Sequence, residues 1–439
     1  MSEELEKVSS VVCPFCGCLC DDLEVILKDG KIVHVKNACI FSLTKYLNYW
    51  RERIRSPLVR KDGKLIETSL NEALERAAEI LANASYPVLY GWSSTNCEAQ
   101  RVGVELAEEI GGVIDNTSSV CHGPTIEALH EIGHPSCTLG QIKNRADLII
   151  YWGCNPLQSH LRHMARYTIG SRGRFCRTRE DRTLIVVDVR KTYTARVADY
   201  FIQIKPNKDY ELLTALRMAI KNIEIEQDNV AGVPVEVVEE IADIMVNCKF
   251  GTLFYGLGLT MSEGKNRNID AAISLVRDLN NRTKLVMMPM RGHFNVNGAN
   301  NVFLWQTGYP FAVDFSHGYP TYNPGVTSIV DILARGESDA ALIVASDPIS
   351  NLPKKAIENL RKIPLIVIDP HKTLTTEAAD VVIPSAIVGV ECGGTAYRMD
   401  SVPLTLRKVV EPPPGILTDE EILQEILERV RRMKKWSYS

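Results

Sequence analysis

The chain has 439 residues, 45% of them hydrophobic, enough to bury cores in two or three domains. Lys and Arg number 50 against 54 Asp and Glu, a formal net charge of −4, so neither a polyanionic partner nor nucleic-acid binding is expected. No apolar run approaches the ~20 residues of a membrane helix, and MSEELEKVSS carries no apolar leader or twin arginine; a cytoplasmic protein without membrane contact is the expectation.

Residues 1 to about 55 form an opening segment rich in thiols. Five of the 12 cysteines fall within the first 39 residues. In a reducing compartment such a group suggests metal rather than disulfides. The spacing is C-x2-C-x3-C-x18-C over Cys13, Cys16, Cys20 and Cys39 if Cys18 is a bystander. Four such thiolates can hold a [4Fe–4S] cube; a structural zinc is the competing reading. DLEVILKDGKIVHV reads as two alternating strands around a turn at Asp29-Gly30. Scattered cysteines such as Cys97 and Cys248 read as buried apolar side chains.

TSLNEALERAAEILANA follows, with Ser or Asn as N-cap and apolar spacing near 3.6, a helix. Short apolar runs then alternate with helical stretches: PVLYGW, DLIIYWG, TLIVVDV, TLFYGLG, KLVMMPM, AALIVAS, LIVIDP and DVVIP. Their β-branched content and lack of alternation fit strands buried on both faces. Helices between them predict parallel, doubly wound sheets, too many strands for one sheet, hence two α/β domains. Strand ends carry Gly153-Cys154-Asn155-Pro156, Gly256 and Gly258, Ser346-Asp347-Pro348 and Asp369-Pro370. Ligands of open α/β sheets sit at carboxyl ends of strands, and such turns suit phosphate; singly, each is also ordinary loop chemistry. No GxGxxG or GxxxxGK[ST] motif points to NAD or ATP. The closing EPPPGILTDEEILQEILERVRRMKK reads as a loop and an amphipathic helix with a solvated charged face.

Taken in order, these segments resemble the molybdopterin oxidoreductase family, which includes formate dehydrogenases and nitrate reductases, over nearly the whole chain. The cysteine opening is similar to the family's cluster motif. Gly153-Cys154-Asn155-Pro156 is similar to its GxNP turn, and Asp188 with Arg190 and Thr194 to a dinucleotide contact. Lys205 to Asp209 resembles the family's pre-helix motif. Ser346-Asp347-Pro348 and the run from Asp369 through Thr375, Thr376 and Asp380 resemble its second dinucleotide half; Gly394, Thr395 and Arg398 belong to an E-x-x-G-T element starting at Glu391. Cys121-His122 and Arg291 resemble the ligand-bearing and arginine segments of formate dehydrogenases.

The resemblance implies an enzyme that reduces CO2 to formate, or the reverse. Its cofactors would be tungsten or molybdenum on two molybdopterin guanine dinucleotides, with Cys121 and an inorganic sulfido as further ligands, and a [4Fe–4S] cluster. His122 would be a proton carrier and Arg291 the carboxylate anchor. Implied partners are an amidohydrolase-like subunit, a β-barrel subunit that caps the pterins and ferredoxin-like subunits, the chain itself lacking the family's C-terminal barrel. The expected domains are 1–55 for the cluster, 56–120 with 293–439 for one dinucleotide, and an inserted 121–292 for the other. The family's lysine after the fourth cluster cysteine is replaced by Ile40, with Lys45 a candidate substitute. A stand-alone formate dehydrogenase and a non-catalytic iron–sulfur scaffold are the alternatives.

Overall fold

The computed structural model describes residues 5–437, with side chains through 434; the outermost residues of the two flanking domains expected from the sequence lie outside that range. The chain divides into two compact units: 1–120, 293–398 and 403–439 form the first, and 121–292 with 399–402 the second. Both are mixed α/β with parallel sheets.

Each of the eight apolar runs is a strand. Pro87–Gly91, Leu148–Trp152, Gly251–Tyr255, Leu285–Pro289 and Ala340–Val344 are buried along their whole length. Such runs show no alternation because helices cover both faces of the sheet. In the first unit, Val113–Asn116, Pro87–Gly91, Ala340–Val344, Leu365–Ile368 and Val381–Ile383 lie side by side in parallel. Antiparallel strands flank them, making nine in all. In the second unit five parallel strands run in the order Tyr200–Gln203, Thr183–Asp188, Leu148–Trp152, Gly251–Tyr255, Leu285–Pro289. Parallel pairing brings all carboxyl ends to one edge of each sheet.

The front hairpin forms with Asp29 and Gly30 both at positive φ, 51° and 70°, as a tight two-residue hairpin turn requires. A third strand, Glu6–Val11, pairs with Leu23–Lys28, so the cysteine loop is clamped between paired strands. The helix Leu70–Asn83 is capped by the Ser69 side chain, which accepts from Glu72 N–H. The final helix, Asp419–Ser437, buries Ile422, Leu423, Ile426, Leu427 and Val430 completely. Its charged face is not merely solvated: Arg429 pairs with Glu75 at 3.2 Å and Arg431 with Glu109 at 3.0 Å, because the helix lies against two others of the same unit. No helix among the described residues is long and apolar enough to cross a membrane.

Candidate functional site

In the second unit, Cys121, His122 and Arg291 come together although the chain brings Arg291 in from the end of the last strand of that sheet. Cys121 precedes the helix Gly123–Ile132, and its carbonyl accepts from Thr260 Oγ1 at 3.0 Å. Burial pushes its thiol up to about 11, with Arg291 opposing. A metal ion bound by this thiol would have to displace that proton. His122 is 2% exposed. Its Nδ1 lies 3.1 Å from Thr125 Oγ1, its ring meets Tyr255 edge-on, and its buried Nε2 has no well-formed hydrogen bond. Burial, with Arg291 alongside, pushes the imidazole down to about 3, so it is neutral at physiological pH. Arg291 is itself buried; burial lowers its pKa, and Tyr255 and Cys121 counter that. His134 is likewise pushed down, to about 4, by burial and by Arg291.

The strand-end residues of this unit share one edge. A Cβ on Gly153 would lie 2.7 Å from the Gly258 backbone, and one on Gly258 would lie 2.6 Å from Gly153 Cα. Gly256 is as close to Cys154. These glycines let two neighbouring turns touch, with Gly258 N–H donating to Gly153 O at 2.9 Å. Asn155 Oδ1 accepts from Thr194 N–H at 3.2 Å and Thr194 Oγ1 at 2.7 Å, and Pro156 opens the short helix that follows. Asp209 takes the Trp152 Nε1–H at 2.7 Å; burial raises its carboxyl and that of Asp188, which also accepts from Arg190 N–H at 3.2 Å. Arg190 and Lys205 are exposed on this edge. Lys205 lines a groove of about 720 Å³ with Lys208, Tyr210 and Met218.

The first unit repeats the device. Asp347 Oδ1 accepts from Thr375 N–H at 3.0 Å and Thr375 Oγ1 at 2.5 Å, with Pro348 opening the next helix after Ser346. In both units the threonine hydroxyl also accepts a backbone N–H from beyond the proline, Leu157 at 3.3 Å and Ile349 at 3.2 Å. The matching segments, DVRKTYT from Asp188 and DPHKTLT from Asp369, share Asp, Lys and two Thr. That short internal repeat is the signal by which sequence reasoning could have found both locks. Burial, with Asp419 and Asp347 adding to it and the His371 N–H opposing, pushes Asp369 up to about 7.

Asp380 does not belong to this edge, contrary to expectation. It precedes the strand Val381–Ile383, and its Oδ2 accepts from Leu365 N–H at 2.9 Å, at the amino ends of the strands. Asp199 does the same for Leu184 N–H at 2.7 Å in the other unit. Thr376 lies on the carboxyl side but spends its hydroxyl in a capping box with Thr373. Gly394, at φ +133°, sits against Asn96; Thr395 is fixed by both its N–H (2.9 Å) and Oγ1 (2.8 Å) to Glu98; and Arg398 is buried, its carbonyl accepting from Asn297.

The cysteine loop folds tightly, with Cys13 N–H donating to Cys20 O at 2.9 Å and Leu19 N–H to Cys16 O at 3.1 Å. Cys13 donates to Ser42 Oγ at 3.2 Å, and Cys39, the N-cap of helix Ile40–Leu47, accepts from Ser42 N–H at 3.4 Å, so Ser42 ties the fourth cysteine to the first. Burial raises Cys13; hydrogen bonding from Cys18 lowers Cys16, and the same contact raises the buried Cys18. Lys45, on the same helix, folds its ammonium over Phe41 at 4.8 Å and Phe15 at 5.3 Å; burial lowers its pKa, and negative charge at Cys13 and Cys16 opposes that. Among the described residues no three Cys, His, Asp or Glu side chains converge closely enough to hold one metal ion.

The molybdopterin oxidoreductase sequence pattern matches residues 53–429. The chain belongs to the molybdopterin oxidoreductase family. A member from Methanocaldococcus jannaschii, named as a subunit of tungsten-containing formylmethanofuran dehydrogenase 2, is 53% identical over 98% of this chain and 100% of its own length. The protein of the same name from Methanococcus maripaludis is 49% identical over the same share of this chain. Formate dehydrogenase H of Escherichia coli is 26% identical over 97% of this chain and 68% of its own. Among solved structures, a chain of the formyltransferase/hydrolase complex from Methylorubrum extorquens superposes with a TM-score of 0.71 at 24% identity, over 86% of this chain and 99% of that one. Acetylene hydratase from Pelobacter acetylenicus gives 0.73 at 16%, over 97% and 70%. These two likenesses concern the fold alone.

A thiolate is a soft ligand suited to the metal of a molybdopterin oxidoreductase, and buried polar groups beside it can serve what the metal carries. Cys121 is such a thiol, and beside it His122 Nε2 and the Tyr255 hydroxyl are buried without well-formed hydrogen bonds. The residues fit the family's cofactor.

Proposed function

We propose that the chain is the catalytic subunit of a formylmethanofuran dehydrogenase, interconverting CO2 and formate with two electrons and one proton. The observation that carries this reading is the meeting of Cys121, His122 and Arg291, a half-buried thiol with a buried, neutral imidazole and a buried guanidinium whose charge acts on both. Full-length identity with two proteins named as subunits of tungsten-containing formylmethanofuran dehydrogenase 2 supports the choice of enzyme.

Cys121 would hold a tungsten or molybdenum centre, with an inorganic sulfido as a further ligand. Two molybdopterin guanine dinucleotides would be held by strand-end residues, one by Gly153, Asn155, Pro156, Asp188, Arg190, Lys205, Asp209, Gly256 and Gly258, the other by Ser346, Asp347, Pro348, Asp369, Thr376, Gly394, Thr395 and Arg398. When bound, this group supplies the two-electron chemistry. Arg291 binds the carboxylate through its planar fork of donors. His122 is neutral and holds or takes the proton at Nε2; negative charge brought beside it raises its basicity. Burial of His122 and Arg291 limits the access of bulk water to the reacting carbon.

Cys13, Cys16, Cys20 and Cys39 would hold a [4Fe–4S] cluster, which would supply the electrons. In this reading the domains are those expected from the sequence, the pterin-capping barrel belongs to another subunit, ferredoxin-like subunits feed the cluster, formate passes to an amidohydrolase-like subunit, and the complex works in the cytoplasm. Anaerobically purified complex should contain tungsten or molybdenum, pterin and iron, and oxidise formate with an artificial acceptor. Zinc alone, with no pterin, would end this reading. Lys45 takes the place of the family's missing lysine as the positive charge beside the cluster. Lys45→Ala should lower the cluster's reduction potential by about 1 kcal/mol, or ~40 mV, because reduction then loses a neighbouring cation; an EPR-monitored redox titration reads it.

A further inference from the structure

The turn that carries Arg291 is held from a distant part of the same unit. Beyond Pro289 the chain leaves the sheet. Met290 N–H donates to Tyr255 O at 2.8 Å, and Arg291 N–H to Pro289 O at 3.1 Å. The Arg291 carbonyl, in turn, lies 2.8 Å from Nε2 of His160. His160 is 2% exposed and sits just past the short helix Pro156–Ser159. Its Nδ1 lies 2.8 Å from Ser159 Oγ, and the Ser159 backbone N–H donates to Asn155 O at 3.0 Å. A carbonyl can only accept, so Nε2 carries the hydrogen and Nδ1 accepts from the serine hydroxyl; one tautomer is fixed. His163 braces the ring from the side, at 6.5 Å between ring centres, and is itself fixed at Nδ1 by the Tyr151 hydroxyl at 3.0 Å.

We propose that His160 is a positioning residue for Arg291: its Nε2–H holds the Arg291 carbonyl and so sets where the guanidinium stands beside Cys121 and His122. A guanidinium that must meet both oxygens of a carboxylate works only from one orientation, and a small displacement of its backbone is costly. The bond is insensitive to pH, since burial lowers the imidazole's pKa and keeps it neutral. It also couples the strand-end turn to the buried cation, because the chain of bonds runs from Asn155 through Ser159 and His160 to residue 291. The proposal rests on Arg291 being the carboxylate anchor.

His160→Leu, made in the whole complex, should raise the KM for formate about tenfold with a smaller change in kcat, metal and pterin content being normal. His160→Gln, whose side-chain amide can donate from nearly the same place, should restore KM to within about twofold. Amide hydrogen exchange over residues 290–295 should quicken in the leucine variant and not in the glutamine variant. An unchanged KM in His160→Leu, with Arg291→Ala disabled in parallel, would overturn the positioning role and leave the function reading standing. So would equal defects in the leucine and glutamine variants. An undiminished Arg291→Ala would instead remove the function reading, and the exchange rates alone would then decide whether His160 fixes this turn.

Discussion

Replacing Arg291 by alanine is expected to lower formate oxidation by on the order of 10³-fold while metal and pterin remain bound. The side chain is almost fully buried, and it stands close enough to Cys121 to lower that thiol's pKa and close enough to His122 to lower the imidazole's. A buried cation in a place of low polarity interacts with a developing carboxylate far more strongly than one in water. Its loss leaves the carboxylate to be desolvated without compensation. Arg291→Lys should recover little, because an ammonium offers a single point of charge where two parallel donors are needed. The removal should also let the Cys121 thiol rise and the His122 imidazole regain basicity, since Arg291 now acts on both. Steady-state kinetics on anaerobic enzyme, with metal analysis of the same preparation, checks the result; turnover within tenfold of the parent would discard the anchor role.

The largest effect on stability is expected at Glu391. Its carboxylate pairs with Arg53 at 2.7 Å, and both side chains are 2% exposed. Glu391 also accepts the Ile387 N–H at 2.9 Å, while Arg53 donates to the carbonyls of Ser385, Pro370 and Ile54. The pair thus ties the chain's early segment to the strand-end turns around Pro370 and Ser385. Glu391→Ala strands a buried guanidinium and should cost about 3–5 kcal/mol. The double variant Arg53→Met/Glu391→Leu should regain much of that, because no charge is left behind. Denaturant unfolding of the single and double variants separates the two; a single variant as stable as the parent would mean that water reaches Arg53 and replaces its partner.

The strands buried on both faces were legible where they are continuous apolar runs, the composition that such a place favours. Those that were not legible lack that signature for physical reasons. Val113–Asn116 ends in Asp and Asn, both buried because the turn beyond it consumes their side chains; Asp115 accepts from the Ala312, Ile329 and Asn116 N–H groups. Glu6–Val11 is mostly exposed, an edge strand with a polar face. The N-terminal thiol spacing and the strand-end turns were readable as local patterns. Asp380 was misplaced for a reason that sequence alone contains. In a parallel sheet, the residue just before one strand stands at the opposite edge from the residue just after the previous one. Asp369 and Asp380 flank a single crossover and therefore stand at opposite edges of the sheet. The tie from His160 to residue 291 has no sequence signal, since it depends on a backbone carbonyl in a distant turn.

The two locks are built alike but differ at their centre: Asn155 in one, Asp347 in the other. An amide and a carboxylate of nearly equal size accept the same two bonds, yet only one brings a formal negative charge. A phosphate or other anion resting against either turn would therefore meet a neutral amide at one and a carboxylate at the other, so the two locks, alike in shape, are unlike in what they attract.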